Sequence, residues 1–392
     1  MTLPIIGELE AIGVMFFWIF TASIVFGAVA RKTEFCPLGG IADVIHSGNN
    51  GRLMMYLFAI GSAMLAVNLL EFFGYFDLDS TRPPYRMPQF RWLAFIIGGL
   101  FFGIGMTLCR GCGMKNMINL GSGNLKAIVA ILGMGSAAVL MLYVENFFGN
   151  YFLSWILPLS PDLAEVGVDF QDLGSMANSL MGFELSNVRL VIALILGLFL
   201  YYIAFNSRDF TDRKANIIGG LLIGLLITAA YYISGGALGE AAQEASDFMD
   251  QPQNGMGTQS YTFIRPMGDL LYVMANPLSY LVTFGLVAFL GVGAGSVLMS
   301  IVTFQFKFEF FKSPMEAVRY LIGGIMVGVG GILGMGCTLG QGIAGTSTLA
   351  AGSFLNLICL IIGAVIGIKL QKHFMDDHEM PDGIYTQFVQ PK

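Results

Sequence analysis

Nine apolar stretches, each close to the length of one bilayer crossing, limit what this chain can fold into. They run roughly over residues 11–30, 53–75, 92–112, 127–148, 188–206, 215–236, 278–303, 320–336 and 352–371. A helix needs about 20 largely apolar residues to cross the hydrocarbon core. Nine such runs in 392 residues predict an all-α polytopic membrane protein, with residues 1–392 forming one integral membrane domain. Hydrophobic residues make up 55% of the chain and charged residues 12%, against about 45–50% and about 25% in soluble domains. So few charges cannot cover a water-soluble surface of this size, which excludes a soluble enzyme and a disordered chain. The net charge of −6 and the lack of a dense basic patch exclude a nucleic-acid binder.

The charges that remain give an orientation. Ala28-Val29-Ala30 imitates a signal-peptide cleavage site, but Glu8 and Glu10 precede the first apolar run and Arg31 and Lys32 follow it. A signal peptide has the reverse arrangement, with a basic leading region. The first helix is therefore expected to stay, with its N-terminus outside. Nine crossings then put fifteen of the twenty Lys and Arg inside and five outside, namely Arg82, Arg86, Arg91, Arg189 and Arg265. This is the positive-inside pattern. The acidic stretches 149–187 and 238–270 fall outside, and the C-terminus inside. Glu71 and Glu145 sit near span ends, so no carboxylate relay for proton coupling is evident within the spans.

Glycine is unusually frequent, at 51 residues, and its placement reveals an internal repeat. Gly98, Gly99, Gly103, Gly105, Gly111 and Cys112 align without gaps on Gly323, Gly324, Gly328, Gly330, Gly336 and Cys337, at an offset of 225. Close helix packing accounts for small residues, but not for a Cys ending both copies. The first copy runs from outside to inside and the second the other way, so the repeat is inverted. Residues 1–148 form one half, 188–206 a connecting helix and 215–371 the other half, pairing spans 1–4 with spans 6–9. Inverted repeats place a binding site near the membrane midplane between broken helices, which points to a transporter.

Each glycine-rich helix ends in Gly-Cys and is followed by small and polar residues at apparent membrane depth. Met114-Lys115-Asn116 come after Cys112-Gly113, and Thr338-Leu339-Gly340-Gln341 after Cys337. These are either surface loops or re-entrant half-helices. Backbone of the second kind must be buried in protein or line a wet cavity, and its free N–H groups suit an anion. Re-entrant half-helices are the expectation. Phe35-Cys36-Pro37 is a third break of the same kind, with the Pro suited to a first helical turn.

Cys109 and Cys112 form Cys-x-x-Cys, which in a soluble protein suggests redox exchange or half a zinc site. No βαβ pattern surrounds the pair, and His46, His373 and His378 lie in or near loops and the tail. No metal and no cofactor is expected. Cys359, in mid-span, is read as a packing residue. Arg110 either snorkels to the interface or gives a pore a cationic gate. Asp43 and His46 either orient the Cys36 helix or lie on the surface, and are read as surface. Thr81 to Arg86 reads as a plain extended external loop, although its Arg pair would attract anions.

Gly27, Phe35-Cys36, Gly39-Gly40 and both glycine-rich helices ending in Gly-Cys, in this order, resemble the YeeE/YedE family of bacterial inner-membrane proteins. The best-understood branch of that family takes up thiosulfate. The resemblance implies an hourglass-like inverted-repeat fold with three pore cysteines, which map onto Cys36, Cys112 and Cys337. It implies an anion passed along by weak S–H hydrogen bonds, and a small cytoplasmic sulfur carrier of the TusA type as receiver. The chain departs from the pattern at Cys109-Arg110-Gly111-Cys112, where Ala-Gly-Gly-Cys is usual, and in the more elaborate loop 149–187. The first departure alters the pore lining and opens the substrate to other sulfur or selenium species.

The leading expectation is inner-membrane uptake of a small sulfur oxyanion, thiosulfate first, with Cys36, Cys112, Cys337, Arg110, Gly111, Gly336 and Cys109 as substrate-path residues. Thiols are weak neutral donors, so they would release a dianion that fixed cations would hold too tightly. The alternative is a membrane sulfur- or selenium-handling or redox protein using Cys109 and Cys112. A third reading is an accessory subunit with no transport of its own.

Overall fold

The computed structural model describes residues 3–248, 255–276 and 282–376, and every regular element within them is helical. In chain order these are α1 (Leu3–Lys32), α2 (Pro37–Ser47), α3 (Gly51–Phe72), α4 (Trp92–Leu108), α5 (Gly113–Gly121), α6 (Lys126–Leu142), α7 (Leu173–Met181), α8 (Leu185–Phe205), α9 (Lys214–Gly235), α10 (Ala237–Asp247), α11 (Ile264–Ala275), α12 (Phe284–Val302), α13 (Pro314–Leu333) and α14 (Ala351–Asp376). Single helical turns join some of them, including a π-helical turn at Gly340–Gly345.

Among the described residues, eight helical stretches are long and apolar enough to cross a membrane. They are Ala11–Ser47 (α1 with α2), α3, Trp92–Gly121 (α4 with α5), α8, α9, α12, α13 and Ala351–Lys372 in α14. The ninth expected crossing, 127–148, is α6, which has 17 residues and stops at Leu142. The expected span overran: the chain leaves the helix after Leu142 and turns at Asn146, held at φ 56°, and the Tyr143 hydroxyl donates to Asp269 at 2.6 Å. Residues 278–281 of the seventh expected span, His378 and the C-terminal end lie outside the described residues.

The glycine pattern sets how the helices meet. Where α4 crosses α13, a Cβ on Gly98 would lie 2.8 Å from the Gly330 carbonyl oxygen, and one on Gly330 would lie 2.6 Å from the Gly98 oxygen. Gly105 and Gly323 form the same reciprocal pair, at 2.8 Å each way. The backbones touch, and only glycine permits that approach. The neighbouring positions are reciprocal too: Gly99 and Gly103 receive α14, while Gly324 and Gly328 receive α6. Around this centre α1 packs on α12 and α3 packs on α9. Helix α8 lies at the rim against α3, with Val191, Ile195, Leu198, Phe199 and Tyr202 exposed. An apolar face of this kind suits lipid.

The loop at 81–86 is not a plain extended segment. Arg86 is fully buried. Its guanidinium donates to Glu71, to Asp79 at 2.9 Å and to the Thr348 carbonyl at 2.9 Å. Arg189, at the start of α8, clamps Asp172 through two hydrogen bonds of 3.1 and 2.9 Å and also reaches Asp79 at 3.2 Å. Burial alone would lower the Arg86 pKa, but Glu71, Asp172 and Asp79 outweigh it and hold the group charged. The network ties the loops at one end of the bundle to the residues that follow the 340–345 turn. At the other end, Lys126 pairs with Glu316 at 2.8 Å, and Arg31 donates to Ser300 at 3.1 Å.

Candidate functional site

Cys36, Cys112 and Cys337 each sit two residues after a non-glycine residue in left-handed backbone. Those residues are Glu34, Arg110 and Met335, with φ of 56°, 55° and 57°. The intervening residue donates its N–H five residues back in every case: Phe35 to Ala30 at 3.0 Å, Gly111 to Met106 at 2.8 Å and Gly336 to Gly331 at 2.8 Å. This is a Schellman-type helix end. Each Cys then starts a new helical segment, its carbonyl accepting from Gly40, Asn116 or Gln341 at 2.8–3.0 Å. The same break thus occurs three times, each time placing a thiol at the N-terminus of a short segment.

At such an N-terminus the first N–H groups lack helical partners and carry partial positive charge. The Cys36 sulfur accepts from Gly39 N–H at 3.2 Å, and the Cys337 sulfur from Gly340 N–H at 3.4 Å. Lys115 N–H, at the equivalent place, lies toward the Cys112 sulfur without closing a bond of the same geometry. With the sulfur lone pairs facing N–H groups, the S–H protons are left to point elsewhere. The Cys112 thiol lies within electrostatic range of both Cys337 and Cys36, and the Tyr56 hydroxyl within range of Cys112 and Cys337. All three cysteines are buried and unpaired.

The segment after Cys337 is buried throughout, so its carbonyls need donors. The Tyr56 hydroxyl donates to Thr338 O at 2.7 Å, Tyr231 to Ala344 O at 3.2 Å and Asn68 to Ser347 O at 2.7 Å. Arg86 takes Thr348 O, as described above. Packed neighbours from elsewhere in the chain thereby occupy four of the carbonyls of this segment. Sequence reasoning missed Tyr56, Asn68 and Tyr231. Each looks like an isolated polar residue in an apolar helix, and its partner is more than 100 residues away.

A cavity of ≈ 590 Å³ opens beside Gly336. Its walls carry Arg82, Arg91 and Arg265, and it reaches Thr262, Met335 and Gly336, the last directly before Cys337. Asp269 also lines it, 4.0 Å from Arg265. The arginine pair read from the sequence therefore divides: Arg82 faces the cavity and Arg86 is locked in the ion-pair network.

The other expected residues fall as follows. Gly111 and Gly336 supply the N–H of the helix ends and tuck against the next turn, near Lys115 and Gln341. Cys109, fully buried, ends α4 and donates its thiol to the Gly105 and Gly111 carbonyls at 3.3 and 3.2 Å, so it faces acceptors, unlike the other three. Arg110 is half-buried and lies in the field of Glu316 and Tyr320 at the start of α13. Asp43 is not a free surface group, since Arg52 grips both its oxygens. That guanidinium lies against Gly39, beside Cys36. Glu71, Asp77 and Asp79 are close enough to share a cation, but Arg86 and Arg189 already engage Glu71 and Asp79.

Two relatives from bacteria are named thiosulfate transporter TsuA. The one from Escherichia coli K12 is 22% identical over 357 residues, covering 86% of this chain and 89% of its own. The one from Spirochaeta thermophila is 26% identical over 349 residues, covering 86% of this chain and 93% of its own. The profile of the sulphur transport family matches residues 32–366. With thiols at three repeated helix breaks inside a multi-pass helical membrane protein, the chain belongs to the sulphur transport (YeeE/YedE) family, whose named relatives are transporters and not enzymes.

Proposed function

We propose that this protein takes up a small sulfur oxyanion, thiosulfate first, through the inner membrane of a bacterium. The observation that carries the reading is the threefold helix break: Cys36, Cys112 and Cys337 each head a short segment, and a cavity walled by three arginines reaches Gly336, next to Cys337. The arginines would gather the anion by their field. The thiols would then pass it on by weak S–H donation, loosely enough for release. The orientation that fits has the cavity outside, with the C-terminus in the cytoplasm. Cys36, beside Arg52, would be the inner station, from which a TusA-like sulfur carrier would receive the cargo. We infer that residues 1–148 and 215–371 are inverted repeats joined by 188–206. The reciprocal glycine pairs and the matching left-handed residues Arg110 and Met335 support this. The carbonyl-bonded Cys109 thiol favours the thiol path over a Cys109–Cys112 redox pair.

Sulfur-limited growth of cells lacking other uptake routes tests the reading. Cys36→Ala, Cys112→Ala and Cys337→Ala are each expected to abolish growth on thiosulfate with the protein stably inserted, and Cys109→Ala to retain it. Wild-type growth of all three pore variants contradicts the relay.

A further inference from the structure

The segment that joins α12 to α13 carries phenylalanine in alternation: Phe304-Gln305-Phe306-Lys307-Phe308-Glu309-Phe310. In extended chain every second side chain falls on one face. The odd-numbered face turns inward beyond Lys307. Glu309 accepts from the Asn124 amide at 2.9 Å, and Phe311 packs edge-on against Tyr320 with ring centres 5.4 Å apart. The even-numbered face is open: Phe304, Phe308 and Phe310 are 94%, 68% and 65% exposed, and Phe306 is exposed too.

Main-chain bonds fix this segment in place. Lys307 N–H donates to Ser122 O at 3.0 Å, Glu309 N–H to Gly123 O at 3.2 Å and Leu125 N–H to Glu309 O at 3.0 Å. Residues 122–125 directly follow α5, the helix that Cys112 heads. Gly123, at φ 95°, permits the approach, since a Cβ there would lie 2.5 Å from Lys307 O. A row of phenylalanines held open by backbone bonds marks an interaction surface. Its place in the chain names the occupant. Helix α12 ends at Val302 and α13 starts at Pro314, so the row lies where two apolar spans leave the hydrocarbon. It continues the exposed apolar residues Leu298, Ile301 and Val302 of α12 and Met315, Val318 and Ile322 of α13. Lys307 and Lys312 are exposed beside it, while Glu309 is drawn inward. Aromatic rings with basic side chains suit the headgroup layer of a bilayer.

We propose that residues 304–312 form a membrane-interface strap. Its phenylalanines seat in the headgroup layer, Lys307 and Lys312 meet anionic headgroups, and its backbone holds the end of α5 at that level. The proposal uses the membrane crossing of α12 and α13 and not the identity of the cargo.

The test uses the full-length protein in vesicles of phosphatidylcholine with phosphatidylglycerol. Phe308→Cys is labelled with a bimane fluorophore, and the wild type, whose five cysteines are buried, is the labelling blank. Lipids carrying a nitroxide at the headgroup are expected to quench the label severalfold more than aqueous iodide. Quenching by iodide alone would put the row in water, as for the docking face of a soluble protein, and shielding from both quenchers would put it against a second copy. Either result overturns the strap. Leaving out phosphatidylglycerol is expected to raise iodide quenching roughly twofold, and Lys307→Gln with Lys312→Gln to abolish that difference; no difference in the parent overturns the anionic contact. Phe306→Ser with Phe308→Ser is expected to raise hydrogen exchange severalfold in the peptides holding Leu125, Lys307 and Glu309, with α13 unchanged. Wild-type exchange in those peptides overturns the hold on α5.

Discussion

Glu34, Arg110 and Met335 hold backbone that L-residues with a Cβ normally avoid, at a cost of order 1–3 kcal/mol each. Met335 shows the cost most simply. Met335→Gly removes the clash and is expected to leave stability equal or up by about 1 kcal/mol, while the β-branched Met335→Val lowers it by about 1–2 kcal/mol. Thermal unfolding in detergent reads both. Asp172 gives a second prediction at this scale. Burial alone would raise its pKa, but Arg189 and Arg86 outweigh burial and hold it below the ordinary carboxylate value. A depressed carboxylate contributes its stability in full above the unfolded pKa of about 3.9. That stability is lost only as pH falls through the lower folded value. The pH dependence of unfolding should therefore show no contribution from Asp172 between neutrality and about pH 5, and a loss only in stronger acid. Asp172→Asn should cost about 3–5 kcal/mol at neutral pH, because it breaks a buried pair and leaves its Arg partners behind. Neither feature was readable in the sequence. The left-handed positions are Glu, Arg and Met rather than Gly, and the network joins Arg189 to Asp79, 110 residues apart.

At the level of elements, the crossing of α4 and α13 is the most constrained contact. A Cβ on Gly330 would lie 2.5 Å from the Phe102 backbone nitrogen and 2.6 Å from the Gly98 oxygen. Neither atom belongs to a side chain that can swing away. Gly330→Ala is expected to force the helices apart and lower stability by about 1–3 kcal/mol or more, seen as a lower unfolding temperature and reduced yield of inserted protein. Gly13, where a Cβ would meet nothing within 4 Å, is the matched control and should tolerate Ala. The glycine pattern was legible because it recurs at a fixed offset and ends both times in Cys. The end of α6 was not legible: the expected span ran on to Phe148, whereas the helix stops at Leu142, ahead of Glu145 and Asn146. The segment after Cys337 could be read as broken, from its Gly and polar content. Its satisfaction by Tyr56, Asn68, Tyr231 and Arg86 depends on four separate stretches of chain and becomes visible only when they meet.

For the whole molecule, the scarcity of charge takes on a specific form. The ion pairs include Arg86, Arg189, Glu71, Asp79 and Asp172 at one end of the bundle, Lys126 with Glu316 at the other, and Arg52 with Asp43 beside the Cys36 segment. The thiols of Cys36, Cys112 and Cys337 are buried, and only Cys36 has an ion pair beside it, through Arg52. The order of the crossings could be read from hydropathy, because the bilayer imposes length and apolarity on each helix separately, but their number could not: among the described residues eight of the nine expected stretches are long enough, and α6 is shorter. The three arginines of the cavity could be assigned to one side by the charge rule, but not gathered around one space, since they come from three separate parts of the chain. The central claim is that a sulfur oxyanion crosses by way of the three thiols. Uptake of labelled thiosulfate by the purified protein in proteoliposomes tests it most directly. The account predicts saturable uptake by the wild type and by Cys109→Ala, and none above empty vesicles for Cys36→Ala, Cys112→Ala or Cys337→Ala. Undiminished uptake by the three pore variants, or none by the wild type, would contradict it.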